Sequence, residues 1–200
     1  MESTAVALAG ATAFARAMRP DLPLVDQGLT ALRRLLAEAG VVHALVGGVA
    51  VVHHGYVRAT RDLDLLLARA DVERLEPLLA RHGFERVAAN RLRHPASGVD
   101  VDLLFAGEPR PRTGAPPYPS PLDLGRSARE PDVVDLPALF ELKLTAARHQ
   151  DLADVVALLK GLDEASYLAI ESGLRPELRA ELLRLRRDAL DELALDGGPR

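Results

Sequence analysis

The sequence predicts an α/β fold with a helical C-terminal half, and three observations predict it. Short apolar runs rich in β-branched residues alternate with helix-spaced segments up to about residue 105. A stretch crowded with proline, glycine and serine then intervenes over residues 107–124. From Leu136 onward the apolar residues recur at helical spacing only.

In chain order, residues 26–39 set Leu29, Leu32, Leu35 and Leu36 on one helical face, and Gly40 is a natural stop. Residues 41–46 read as a strand. Gly47-Gly48 interrupts the run before a short alanine- and valine-rich helix that ends at His54-Gly55. Residues 61–67 alternate aspartate with leucine as a strand does, and residues 71–82 have helical spacing with Asp71 as N-cap. Residues 99–105 form another apolar strand, giving the order β-α-β-α-β. The loop over 107–124, with at most a short strand in it, is expected to flank the active site. Helices follow over 136–148, 151–162 and 175–195, the last opened by Pro176. The expected division is 1–135, an α/β core with N-terminal helices, and 136–200, a helical region lying on it.

Composition narrows the chemistry. With 48% hydrophobic and 27% charged residues over 200 positions, the chain is that of an ordinary globular protein. It has no cysteine, so thiolate zinc sites and iron–sulfur clusters are excluded and any metal falls to carboxylate, imidazole or solvent oxygen. A net charge of −4 argues against a surface uniformly adapted to nucleic acid. Residues 1–17 lack a basic leader and a long apolar block, and no run reaches membrane-spanning length, so a cytoplasmic protein without membrane association is expected.

Alternate side chains of a strand share a face, so Asp62 and Asp64 project together while Leu63, Leu65 and Leu67 point the other way. Two converging carboxylates repel unless a cation or solvent compensates them, and magnesium does so with oxygen ligands. Gly47-Gly48, between strand and helix, lets backbone N–H groups approach phosphate oxygens. A third carboxylate is needed to complete metal coordination or to activate an attacking hydroxyl. Val99-Asp100-Val101-Asp102 offers two, and Asp102 is favoured because Leu103-Leu104-Phe105 places it toward the strand interior.

The run Leu45-Val46-Gly47-Gly48-Val49-Ala50, then His54-Gly55, Arg58, Thr60 and Asp62-Leu63-Asp64-Leu65, resembles the signature of the nucleotidyltransferase superfamily. It is most similar to the bacterial branch that includes the AbiEii-type toxins of toxin–antitoxin systems. The likeness is strong over residues 41–67 and continues more loosely through Asp102 to the helices around Lys143. Gly48 departs from it, since many members carry serine there.

The resemblance implies a minimal nucleotidyltransferase fold, a short mixed sheet flanked by helices. It implies two magnesium ions, or manganese, on Asp62, Asp64 and Asp102, which together form the catalytic set. Gly47, Gly48, Arg58, Thr60 and Lys143 are the implied nucleotide-binding residues. The implied activity transfers a nucleoside monophosphate from a nucleoside triphosphate to a hydroxyl of RNA, tRNA, protein or a small molecule, releasing pyrophosphate. A toxin role with an antitoxin partner belongs to the same implication. The competing reading is a degenerate protein of this fold that binds nucleotide or a partner without chemistry.

Lys143 stands out because the only other lysine is Lys160, and a compact ammonium suits phosphate. Asp151 and Asp154 are expected to cap and solvate the next helix or, in the alternative, one of them to pair with Arg148 or Lys143; His54 is expected to make a positioning hydrogen bond and His149 to lie on the surface. Arg58 and Arg61 fit either phosphates or neutralising ion pairs. The arginines at 175, 179, 184, 186 and 187 read first as a solvated helix face and second as an RNA-binding cluster.

Overall fold

A computed structural model describes residues 24–196. The expectations for residues 1–17, and for any helix before residue 24, lie outside them. The first described helix, α1 (Val25–Ala39), buries Leu29, Leu32, Leu35 and Leu36 and ends on Gly40, whose φ of 60° lets its N–H reach the carbonyl of Leu36. Strand β1 (His43–Val46) runs straight into α2 (Gly47–His53), so the glycine pair opens the helix with no separate turn. Strand β2 (Asp62–Leu67) follows.

The single helix expected over 71–82 is broken into pieces. A 3-10 turn (Arg69–Asp71) leads into one α-helical turn, α3 (Val72–Leu75), and then into two more 3-10 turns (Glu76–Leu78 and Ala80–His82). Pro77 inside the stretch has no N–H to give an α ladder. Asp71 already has helical dihedrals and makes no capping bond with its side chain.

A hairpin, β3 (Glu85–Ala88) and β4 (Arg91–His94), precedes β5 (Val99–Phe105) and was not anticipated. The five strands stand in the order β1-β2-β5-β4-β3. Strands β2 and β5 are parallel, and every other neighbouring pair is antiparallel. The sheet is therefore mixed, short and flanked by helices, in the class expected from sequence.

The two central strands are apolar on one face. Leu63, Leu65 and Leu67 of β2 and Val101, Leu103 and Phe105 of β5 are all buried. The outer edge of β1 is covered by residues 132–134. Leu45 N–H donates to the carbonyl of Asp132 at 2.8 Å, and Val134 N–H donates to Leu45 at 3.2 Å.

The rest is helical: α4 (Leu136–Ala146), α5 (His149–Leu159), α6 (Glu164–Gly173) and α7 (Pro176–Asp196). Helix α6 adds to the three that spacing predicts. Asp135 caps α4 by accepting from Ala138 N–H at 2.9 Å. Loop 107–124 contains one 3-10 turn (Pro121–Asp123) and no strand. No helix among the described residues is long and apolar enough to cross a membrane.

Candidate metal and nucleotide site

The alternation of β2 puts Asp62 and Asp64 on the sheet face opposite its buried leucines. Parallel pairing in register sets Asp62 beside Asp100 and Asp64 beside Asp102. Both aspartates of β5 thus share the face of the β2 pair, and Asp102 is the one next to Asp64. On its other side Asp64 is paired with Val46, the last residue of β1, so Gly47 follows directly beside the carboxylate.

Gly47 has a φ of +62°, and a Cβ built on it would lie 1.8 Å from Oδ2 of Asp64. A Cβ on Gly48 would lie 2.5 Å from Oγ1 of Thr60 and 3.3 Å from Nη2 of Arg58. The glycine pair is what allows the start of α2 to touch both the aspartate strand and the loop before it. Thr60 in turn donates from Oγ1 to the carbonyl of Asp62 at 3.2 Å.

Asp62 is exposed and Asp64 is half-buried. The Asp64 carboxyl is pushed up to about 6, first by burial and then by the charges of Asp62 and Asp102, while Arg148 and Lys143 pull it back. The β5 carboxylates, by contrast, are already compensated. Arg91 Nε lies 2.6 Å and Nη2 3.2 Å from the two oxygens of Asp102. Arg93 holds Asp100 the same way, at 2.7 and 3.0 Å, and its guanidinium draws the Asp100 carboxyl below the usual carboxylate range. Among the described residues no group of three or more histidine, cysteine, aspartate or glutamate side chains is gathered as a ready-made metal site. The Asp102 carboxylate is turned to Arg91 instead.

A cavity of about 300 Å³ opens over Asp64 and Gly47. Its apolar lining comes from Leu104, Leu139, Leu142, Ala146 and Tyr118, and its cations are Arg110, Arg112, Lys143 and Arg148. Loop 107–124 therefore does wall the site, as expected, but its two arginines and Tyr118 were not anticipated. They sit in an aperiodic stretch where no spacing singles them out. Arg110 stands over the Tyr118 ring at 5.0 Å, and Arg112 donates to the carbonyl of Thr145 at 3.0 Å at the end of α4.

An ionic chain runs from the cavity wall into the interior. Lys143 Nζ donates to Asp151 at 3.1 Å and to Asp154 at 2.7 Å. Arg148 Nε donates to Asp151 at 2.7 Å, and Arg58 Nη2 to Asp154 at 3.0 Å. Relative exposure is 5% for Lys143, 3% for Asp151 and 0% for Asp154. Capping and solvation of α5 is thus corrected in favour of the alternative, ion pairing: both aspartates are buried, and they are compensated by the buried Lys143 and by the more exposed Arg148 and Arg58, as buried charges must be paired. Arg58 is committed to Asp154 and does not line the cavity. Lys143 does line it, with its ammonium held from below. Ala147 links α4 to α5 with a left-handed φ of 49°, the one positive φ of a non-glycine among the described residues. That turn brings Arg148 back toward Asp64.

The remaining candidates are settled by their contacts. His54 Nε2 is 2.8 Å from the carbonyl of Val134, the expected positioning bond, and His149 is exposed. Arg175 binds Glu141, Arg184 binds Glu181 and Asp188, and Arg179 and Arg186 donate to backbone carbonyls. These four arginines are engaged locally.

Neither a family model nor a curated protein matches the chain. Its structure is similar to the solution structure of the antibiotic-resistance factor ANT(2'')-Ia, with a TM-score of 0.48 and 16% identity, over 84% of this chain and 95% of that one. A likeness that distant transfers no residue roles.

Proposed function

We propose that the protein is a divalent-metal-dependent nucleotidyltransferase that moves a nucleoside monophosphate from a nucleoside triphosphate to an acceptor hydroxyl. The observation that carries this reading is the register that puts Asp62, Asp64 and Asp102 on one sheet face, with Asp64 beside a glycine that leaves room for its carboxylate and at the wall of a cavity lined with cations.

The donor set fits a hard cation. The carboxylates of Asp62 and Asp64 have no hydrogen-bond or ion-pair partner among the described residues, and the mutual repulsion that, with burial, raises Asp64 is what a divalent ion relieves. Asp62 and Asp64, joined by Asp102, would hold magnesium or manganese, two ions in this reading, which when bound neutralises phosphate charge and lowers the pKa of the acceptor hydroxyl.

The chain's own residues account for the rest. Arg110, Arg112, Lys143 and Arg148 oppose the triphosphate charge. The apolar wall of Leu104, Leu139, Leu142, Ala146 and Tyr118 takes the base and sugar and excludes water. Gly47 keeps side-chain atoms off the cavity wall, and Gly48 lets the start of α2 lie against Thr60. Asp102, once released by Arg91, would receive the acceptor proton as the new P–O bond forms at the α-phosphorus and the bond to pyrophosphate breaks.

The acceptor in this proposal is a hydroxyl of RNA, protein or a small molecule, and the toxin of a toxin–antitoxin pair is its narrower form. Pyrophosphate release with each nucleoside triphosphate, magnesium and separate RNA, protein and metabolite fractions tests it. Release should be lost in Asp64→Asn. A second reading, nucleotide binding without transfer, is favoured by one observation, the clamp of Arg91 on Asp102. Nucleotide binding without release in any fraction would establish that alternative.

A further inference from the structure

Of the carboxylates on the site face, the β2 pair is free and the β5 pair is clamped, and the clamps come from one strand. Strand β4 pairs antiparallel with β5 so that Arg91 stands opposite Asp102 and Arg93 opposite Asp100. Each guanidinium covers both oxygens of its aspartate in the two-pronged geometry that arginine favours.

We propose that Arg91 is a displaceable counter-ion that holds the third carboxylate closed in the metal-free protein and releases it when metal arrives with the nucleotide. The inference rests on the metal reading above. Its basis is the position of the arginine. The Arg91 side chain is 47% exposed against 22% for Asp102, so the guanidinium regains hydration when it swings into water. Strand β4 belongs to the terminal hairpin of the sheet, with only β3 beyond it, so nothing in the sheet order blocks that movement.

The consequence is selectivity in the order of binding. A bare divalent ion meets only Asp62 and Asp64 as free ligands and must compete with Arg91 for Asp102. An ion already carried by a triphosphate brings its own oxygen ligands and, through the phosphates, an alternative anionic partner for the freed guanidinium. Arg91 thereby acts through Asp102 as a positioning residue and disfavours idle metal binding in the absence of nucleotide. Arg93 does the same for Asp100, but Asp100 is in register with Asp62 and not with Asp64, so its release adds little.

The experiment is Mn²⁺ titration of the full chain followed by electron paramagnetic resonance, without nucleotide, in wild type, Arg91→Gln and Arg93→Gln. The expected result is a dissociation constant about fivefold or more lower in Arg91→Gln and changed less than about twofold in Arg93→Gln. The preference should narrow when a non-hydrolysable triphosphate is added. Equal affinity in wild type and Arg91→Gln, with binding lost in Asp64→Asn, would overturn the counter-ion role and leave the metal reading standing. An equal gain in both arginine variants would reduce the effect to net charge and overturn it too. No Mn²⁺ binding in any variant would overturn the role together with the metal reading. Circular dichroism on each variant excludes misfolding as the cause.

Discussion

The carboxylate of Asp64 occupies the space that a side chain on Gly47 would need, with the two positions separated by 1.8 Å between Oδ2 and an ideal Cβ. The close approach links the two halves of the sequence signature physically. The glycine is there because the aspartate is, and the short step from β1 into α2 sets that contact.

Gly47→Ala should therefore be damaging on two counts, the left-handed backbone at φ +62° and the collision with Asp64. A loss of about 2 kcal/mol or more is expected by urea denaturation, together with loss of nucleotide binding. Wild-type stability and binding in this variant would show that the contact is not kept in solution.

Asp64 also makes a signed prediction about pH. Its folded carboxyl titrates near 6, above the range of an unfolded chain, so the folded state holds the proton more tightly. Stability is then lost as pH rises through about 6 and stays low above it. Without metal, Asp64→Asn should be more stable than wild type by about 1–3 kcal/mol at pH 8, and the gain should vanish toward pH 4. A gain equal at both pH values would contradict the electrostatic account.

Arg148 lines the cavity, donates to Asp151 and lowers the Asp64 carboxyl. Arg148→Gln should weaken nucleoside triphosphate binding about tenfold at low salt, less at high salt. It should also move the acidic limb of any activity profile upward, because one of the cations that holds Asp64 ionised is gone. An unchanged limb with weakened binding would confine Arg148 to the phosphates.

The buried chain through Asp154 is expected to be structural first. Asp154→Ala leaves Lys143 and Arg58 facing a buried vacancy, and removing one partner from a buried ionic network costs about 3–5 kcal/mol. Thermal and urea unfolding measure it. A loss below about 1 kcal/mol would mean that water or a rearranged partner replaces the carboxylate.

What could be read from the sequence follows the physics of each signal. The strand alternation of Asp62-Leu63-Asp64-Leu65 and the leucine spacing of α1 are local patterns, so the face of the aspartates and the core face of the helix were both legible. Choosing between Asp100 and Asp102 needed register, which is a property of strand pairs; it sets both on the site face and Asp102 beside Asp64. The β3–β4 hairpin escaped notice because its strands are short and rich in arginine, and with it went the clamps of Arg91 and Arg93. Arg110 and Arg112 could not be singled out in a loop without periodicity. For Asp151 and Asp154 the spacing allows a solvated cap or a pair with Lys143 or Arg148, and the choice, with the burial and the contact to Arg58, depends on tertiary packing.

The most direct test of the central claim uses nucleoside triphosphates labelled at either the α- or the γ-phosphate, incubated with the protein, magnesium and an RNA, protein or metabolite fraction. Nucleotidyl transfer predicts that the α-label enters an acceptor while the γ-label leaves in pyrophosphate, and that both events cease in Asp64→Asn. Incorporation of the γ-label, or α-label transfer that persists undiminished in Asp64→Asn, would contradict the account.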